Sequence, residues 1–121
     1  MSSKTVLIVE DNDIEREGLA AVVQDQGYQV QLAANGTEAL SYLQKTPTPD
    51  VVLLDMMMAP EDGWQVLRKV QRSRTQPPVP IIIVTGLDIA SPEWATSLGA
   101  SGLIHKPIDK EELLGELSRF N

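Results

Sequence analysis

Five short apolar segments alternate along the chain with five segments in which apolar residues recur at helical spacing. Apolar stretches of this length are typical of buried strands, and the longer amphipathic stretches between them are typical of helices. The strand-like segments are 4–10, 28–33, 50–55, 79–85 and 101–106, and the helix-like segments are 13–27, 36–45, 63–73, 91–99 and 109–120. Their alternation predicts an α/β domain with a parallel sheet covered by helices on both faces.

Residues that favour helix ends support these boundaries. Ser91 precedes a proline and a glutamate as an N-cap residue does, and Asp109 begins a segment with capping-box spacing. Gly27 and Gly99 follow two of the helical segments, where glycine often ends a helix. With 121 residues and no visible linker, repeat or low-complexity tract, the chain is expected to form a single domain over residues 1–121.

The chain is strongly acidic. Seventeen Asp and Glu residues against ten Lys and Arg residues give a formal net charge of −7, which argues against binding to nucleic acid or an anionic membrane through a basic surface. There is no cysteine, which excludes thiol catalysis and thiolate zinc sites, and the single histidine, His105, excludes a cluster of histidine ligands. No signal peptide or membrane-spanning run is visible, so a cytoplasmic protein is expected.

Polar residues stand where four of the predicted strands end. Glu10 and Asp11 end the first strand, Asp55 the third, Thr85 the fourth and Lys106 the fifth. Each has an ordinary explanation by itself: a helix cap, a turn residue, a strand former or a solvated lysine. In a parallel sheet, however, all the carboxyl ends lie at one edge, where ligands bind. We therefore expect three carboxylates, a hydroxyl and an ammonium group to converge there.

This set of groups has a definite chemistry. Clustered carboxylates repel one another unless a cation lies between them, and oxygen ligands favour a hard metal such as Mg²⁺. A metal beside a lysine and a hydroxyl suits a phosphoryl group, and a carboxylate oxygen can attack phosphorus to form an acyl phosphate. The sequence therefore predicts a site for phosphoryl chemistry.

Four motifs give the chain a resemblance to the receiver domains of two-component response regulators. They are "VEDN" after the first strand, "DG" seven and eight residues after Asp55, "VTG" at the end of the fourth strand and "GASGLIHKP" at the fifth. The resemblance covers residues 4–120. It implies a flavodoxin-like fold, a doubly wound five-stranded parallel sheet in the strand order 2-1-3-4-5 with five helices.

The resemblance also implies a magnesium site. Asp11 matches the direct Mg²⁺ ligand of the family, and Glu10 matches the acid that reaches the metal, often through water. Asp55 matches a further carboxylate ligand, and the residue at the Met57 position supplies a backbone carbonyl oxygen. Mg²⁺ is thus the expected cofactor.

A phosphorylation cycle is implied as well. Asp55 matches the phosphoacceptor, Thr85 the hydroxyl that moves to meet the phosphoryl group, and Lys106 the ammonium that pairs with it. The Lys106–Pro107 peptide bond is often cis in the family. The expected partners are a histidine kinase or histidine phosphotransfer protein and a downstream protein target, with no nucleic acid or membrane partner. The protein would be a signalling switch that catalyses only its own phosphorylation and dephosphorylation, not an enzyme acting on other substrates.

The sequence departs from the family pattern at two places. Proline usually stands four residues after the acceptor, but here Ala59 has that position and Pro60 follows. An aromatic switch residue usually stands three positions before the lysine, but here it is Leu103. We therefore expect the loop after the third strand to differ, which affects how Met57 presents its carbonyl group, and we expect no threonine–aromatic coupling of the usual form.

Two other functions remain open from the residues. A phosphatase with an aspartyl-phosphate intermediate, of the haloacid dehalogenase type, needs a second aspartate two positions after the nucleophile, where this chain has Met57. A receiver domain that acts only as a binding module requires the loss of a site residue, and none is lost. The sequence also leaves open whether the chain is a stand-alone regulator or one domain of a larger protein.

Overall fold

A computed structural model describes residues 4–45, 47–56, 63–72, 79–87 and 90–120. For residues 63, 64 and 70 it describes the backbone alone. All ten predicted elements are present, each within two residues of its predicted bounds. The strands are β1 (Thr5–Val9), β2 (Gln29–Ala33), β3 (Val51–Asp55), β4 (Ile81–Thr85) and β5 (Gly102–His105). The helices are α1 (Asp13–Asp25), α2 (Gly36–Leu43), α3 (Gly63–Gln71), α4 (Pro92–Ser97) and α5 (Lys110–Ser118).

The five strands form one parallel sheet in the order β2-β1-β3-β4-β5. This is the strand order that the family resemblance implies. The direction in which strands are added reverses between β1 and β3, because β2 lies outside β1 while β4 and β5 lie outside β3. In open α/β sheets such a reversal leaves a crevice beyond the carboxyl ends of the two strands.

Alternate strand residues face two separate parts of the core. One part contacts α2, α3 and α4, and its strand residues include Leu7, Val9, Val52, Leu54, Ile81 and Ile83. The other contacts α1 and α5, and its strand residues include Val6, Ile8, Val51, Leu53, Ile82, Val84 and Ile104. Burial on both faces explains why β1, β3 and β4 are apolar at every position except one end. Each fully buried aliphatic side chain contributes about 1.5–3 kcal/mol, so the strands that carry the polar ends are held firmly.

Side-chain caps fix where several helices begin. In each case a side-chain oxygen accepts a hydrogen bond from the backbone N–H three residues later, and the capping residues are Asn12, Asn35, Ser91 and Asp109. Gly27 and Gly99 have positive φ angles of 94° and 87°, a conformation that residues with a Cβ rarely adopt. The predicted caps at Ser91 and Asp109 and the predicted glycine ends are confirmed. Among the described residues, no helix has the length and apolar character to cross a membrane.

Candidate functional site

Three carboxylates meet beyond the carboxyl ends of β1 and β3. Glu10 and Asp11 follow β1, and Asp55 is the last residue of β3. A ligand oxygen from each of the three lies within 4.8 Å of the others. Glu10 and Asp55 are only 2% and 4% exposed, whereas Asp11 is exposed. The structure therefore brings together the three acids that the sequence places at separate strand ends.

Lys106 reaches this cluster from the end of β5. Its Nζ atom lies 2.8 Å from Asp55 Oδ2 and 3.4 Å from Glu10 Oε1, and a third carboxylate, Glu15 Oε1, lies at 3.7 Å. The Lys106 backbone N–H donates to the carbonyl oxygen of Thr85 at 2.8 Å, and the Lys106–Pro107 peptide bond is cis. The ammonium group thus joins β3, α1 and the residue that follows β1.

Burial and the neighbouring charges change how these groups titrate. Burial, together with a hydrogen bond and charge repulsion from Asp55, raises the pKa of Glu10 to about 8, although the backbone N–H of Asn12 and the charge of Lys106 oppose the shift. For Lys106, burial lowers the pKa, but the hydrogen bond and charge of Asp55 and the charges of Glu10 and Glu15 outweigh it, so the pKa is raised. Burial and Asp55 therefore favour the protonated form of Glu10, and the surrounding carboxylates favour the charged form of Lys106.

Thr85 ends β4 beside Asp55. In the strand register Asp55 pairs with Val84, so Thr85 lies one residue beyond that pair at the same edge of the sheet. The Thr85 side chain is fully buried, and its Oγ1 atom accepts a hydrogen bond from the Leu87 N–H at 3.1 Å. The hydroxyl is therefore held at the start of the connection between β4 and α4.

The carboxylate cluster fits a magnesium ion. All three ligand atoms are carboxylate oxygens, which are the ligands that Mg²⁺ prefers, and the ion keeps several waters where few protein ligands are offered. A cation would also relieve the repulsion that helps to raise the pKa of Glu10. The fourth predicted ligand, Met57, and the departures at Ala59 and Pro60 lie outside the described residues, so those expectations remain predictions.

Several contacts of the site were missing from the sequence analysis. Arg16 Nη1 donates to the carbonyl oxygen of Glu10 at 2.8 Å, and Arg16 also pairs with Asp13. Glu15 contacts Lys106, which is 91 positions away in the chain. An acid in the first turn of α1 is explained equally well by the helix dipole. The acidic first turn of α1 was therefore the only available signal, and it did not single out Glu15.

His105 also forms a contact that the sequence did not predict. It is exposed, yet its Nε2 atom lies 2.9 Å from the carbonyl oxygen of Ala90. Because Ala90 directly precedes the N-cap residue of α4, this contact joins β5 to the segment that leads into α4. The strand pattern of residues 101–106 predicted that His105 lies in the sheet, but it did not predict the contact with Ala90.

A cleft of about 230 Å³ opens beside the cluster, between α1 and α5. Its polar end includes Glu10, Glu15 and Lys106. Its other lining residues are mostly aliphatic and include Leu19, Val22, Ile108 and Leu113. The buried Glu10, the exposed Glu15 and Lys106 therefore border a space that is open to a molecule from outside.

Comparisons with known proteins agree with this arrangement. Residues 6–118 match the family model described as response regulator receiver domain. Protein PilH of Pseudomonas aeruginosa is 36% identical over 110 residues, which are 90% of each chain. Response regulator MprA of Mycobacterium sp. (strain KMS) is 36% identical over 113 residues, which are 93% of this chain but only 48% of MprA. The chain thus spans about half the length of MprA.

Solved structures are similar over nearly the whole chain. The chemotaxis protein CheY4 of Vibrio cholerae has a TM-score of 0.82 and 33% identity, covering 99% of this chain and 100% of CheY4. The receiver domain of the sensor histidine kinase PA1611 from Pseudomonas aeruginosa has a TM-score of 0.84 and 27% identity, covering 98% of both chains. The PA1611 structure has a magnesium ion coordinated in its active-site cleft.

Proposed function

Because this chain belongs to the response regulator receiver domain family of two-component signalling, we propose that it is a switch controlled by phosphorylation of Asp55. The phosphoryl donor would be a histidine kinase or a histidine phosphotransfer protein. The observation that carries the proposal is the position of the Asp55 carboxylate, which is buried at the end of β3 with Oδ2 only 2.8 Å from Lys106 Nζ.

The proposed reaction is a transfer of the phosphoryl group from phosphohistidine to aspartate. An oxygen of the ionised Asp55 carboxylate attacks phosphorus and forms a new P–O bond. The P–N bond to the donor imidazole breaks, and the imidazole leaves with the electron pair and takes up a proton. Lys106 pairs with the Asp55 carboxylate, and the buried strand β3 fixes that carboxylate so that little freedom is lost on reaction.

Magnesium is the proposed cofactor of this transfer. Glu10, Asp11 and Asp55 would hold the ion, because their oxygens form the only all-carboxylate cluster identified in the described ranges. When bound, Mg²⁺ offsets the negative charge of the phosphoryl oxygens. The magnesium ion in the related PA1611 receiver domain supports this assignment.

The function is tested by incubating the protein with Mg²⁺ and a small acyl-phosphate donor and measuring its intact mass. We expect the mass to increase by one phosphoryl group, and we expect a chelator to prevent the increase. A protein that gains no mass in Mg²⁺ would contradict the proposal and favour a receiver domain that only binds partners.

Asp11→Ala should abolish stabilisation by Mg²⁺, because it removes the exposed carboxylate of the cluster. For the wild type, Mg²⁺ at ten times its dissociation constant should raise the free energy of unfolding by roughly 1.4 kcal/mol. Chemical denaturation with and without Mg²⁺ measures this difference. Asp25→Ala, at the opposite end of α1, removes the same charge and should retain the full effect. Equal stabilisation of Asp11→Ala and the wild type would show that Asp11 is not a ligand.

The proposed output of the switch is the segment between β4 and α4. Once Asp55 is phosphorylated, the Thr85 hydroxyl would turn to the phosphoryl group and change its bond to the Leu87 N–H. The Ala90 N–H donates to the Leu87 carbonyl oxygen at 3.2 Å, which links this change to the start of α4. Since Leu103 replaces the usual aromatic residue, this segment would carry most of the change to a downstream protein.

Phosphorylation should therefore alter the environment of Trp94 on α4, which packs partly buried against the core. A Trp64→Phe background leaves Trp94 as the single tryptophan, so that its fluorescence reports on α4 alone. We expect a change in emission on phosphorylation that is lost in Thr85→Val, which keeps the branched shape and removes the hydroxyl. An equal change in Thr85→Val would exclude Thr85 as the link.

A further inference from the structure

Glu15 stands at the open side of the site, where nothing in the phosphorylation mechanism uses it. We propose that Glu15 is a positioning residue that selects among phosphoryl donors by charge, disfavouring small dianionic acyl phosphates. It acts by repelling the incoming dianion at the Lys106 ammonium group. This inference rests on the proposed phosphorylation of Asp55.

Glu15 lies at the solvent-exposed side of the Lys106 ammonium group. It lies in the first turn of α1, and its backbone N–H donates to the Asn12 side chain at 2.9 Å, which fixes the start of the helix. From there its Oε1 atom lies 3.7 Å from Lys106 Nζ. The Glu15 side chain is 51% exposed, compared with 5% for Asp55 and 2% for Glu10, which share the same ammonium group. Of these three carboxylates, Glu15 is therefore the one that a molecule from solvent meets first.

The cleft between α1 and α5 exposes Glu15 and Lys106 to solvent. The charged residues of its lining are Glu10, Glu15, Lys106 and Lys110, and the rest of its lining is largely aliphatic. Because Glu15 and Lys106 both line this open space, solvent and small anions have access to the pair.

Distance sets how strongly the charges interact. A phosphoryl oxygen paired with Lys106 lies about 2.9 Å from Nζ. With Glu15 at 3.7 Å from the same atom, the two negative groups are then no more than about 7 Å apart, which is less than the Debye length of about 8 Å at physiological ionic strength. Repulsion is therefore only partly screened. Because the Coulomb energy is proportional to charge, it is twice as large for a dianion as for a monoanion.

Glu15 also has an ordinary structural explanation. An acid in the first turn of a helix interacts favourably with the helix dipole. The half-exposed ion pair between Glu15 and Lys106 adds little stability. Both effects act on the folded protein before any donor arrives. They would change the rates for all donors by the same factor, so a comparison of two donors of different charge separates selection from structure.

The experiment compares two small donors in Mg²⁺: acetyl phosphate, a dianion, and phosphoramidate, whose ammonium group leaves one net negative charge. Initial rates of phosphorylation are measured for the wild type, for Glu15→Gln and for Glu17→Gln. Glu17 is exposed two positions along α1 and, in the part of the chain that the structure describes, forms no ion pair with Lys106. Each variant removes one negative charge from α1, and chemical denaturation verifies that both are folded.

We expect Glu15→Gln to raise the rate with acetyl phosphate about two- to fivefold, the size typical of one partly screened charge pair. The rate with phosphoramidate should rise by about the square root of that factor. The gain should shrink at high salt, and Glu17→Gln should leave the ratio of the two rates near the wild-type value.

Three results would overturn the inference, and they are distinguishable. If Glu15→Gln changes both rates by one factor, Glu15 has a structural role only. If Glu17→Gln changes the ratio as much as Glu15→Gln does, the effect belongs to the net charge and not to the pair with Lys106. If the wild type takes up no phosphoryl group from either donor, the proposed function fails, and selection among donors fails with it.

Discussion

Asp55→Asn is expected to accept no phosphoryl group from any donor. The carboxamide is a far weaker nucleophile than the carboxylate, so the rate should fall at least about a thousandfold. The substitution preserves the shape of the side chain, and the amide oxygen can still accept the hydrogen bond that Lys106 Nζ donates at 2.8 Å. The fold should therefore survive. Intact mass after incubation with Mg²⁺ and an acyl-phosphate donor measures the outcome.

Asp50→Asn is a matched control for this experiment. Asp50 immediately precedes β3, at the strand end opposite Asp55, where its Oδ2 atom accepts a hydrogen bond from the Thr5 N–H at 2.7 Å. The same chemical change at that end of the strand should leave phosphorylation at the wild-type rate. If Asp55→Asn gains a phosphoryl group elsewhere in the chain at a comparable rate, then Asp55 is not the acceptor.

Glu10→Gln is expected to stabilise the metal-free protein at neutral and alkaline pH. Burial and the neighbouring Asp55 raise the pKa of Glu10 to about 8 in the folded state, from an ordinary value of 4.5. Between these two values the unfolded chain gives up a proton that the folded protein keeps. The free energy of unfolding should therefore keep the full contribution of Glu10 below pH 4.5 and decrease as the pH rises towards 8. Because glutamine carries no proton to lose, the variant lacks this decrease.

The expected difference is large enough to measure. A single group can change the free energy of unfolding by up to about 1.4 kcal/mol per pH unit, so Glu10→Gln should be roughly 2–4 kcal/mol more stable than the wild type at pH 8 and nearly equal to it at pH 4.5. Chemical denaturation from pH 4.5 to 9 with a chelator present gives both curves. Glu93→Gln, an exposed acid on α4, should follow the wild type. Parallel curves for Glu10→Gln and the wild type would mean that Glu10 does not titrate as proposed.

The elements of the fold were predictable because each depends on a local pattern. A strand buried on both faces must be apolar at nearly every position, and this made β1, β3 and β4 visible in the sequence. Caps such as Ser91 and Asp109 act within three residues, so their spacing was sufficient. The strand order, in contrast, does not depend on a local sequence pattern. It came from the resemblance to receiver domains, because alternation alone allows more than one way to order parallel strands.

The membership of the carboxylate cluster was also predictable, because any parallel sheet places the carboxyl ends of its strands at one edge. Together with the strand order that the resemblance implies, which places β1 beside β3, that rule brings Glu10, Asp11 and Asp55 close to one another. It gives neither distances nor protonation states. The raised pKa of Glu10 depends on how completely the neighbouring elements exclude water, which is a property of the whole assembly and not of the motif.

Only the tertiary structure decided which groups share the Lys106 ammonium. Asp55, Glu10 and Glu15 come from β3, from the end of β1 and from α1, at separations of 51, 96 and 91 positions from the lysine. The sequence specified Glu15 as an acid in the first turn of a helix, a position with an adequate local explanation. Its contact with Lys106 exists because the lysine side chain extends from the end of β5 to Asp55 and Glu10 and meets the first turn of α1 there. A contact of this kind depends on strand order and side-chain direction together, and no periodicity along the chain encodes both.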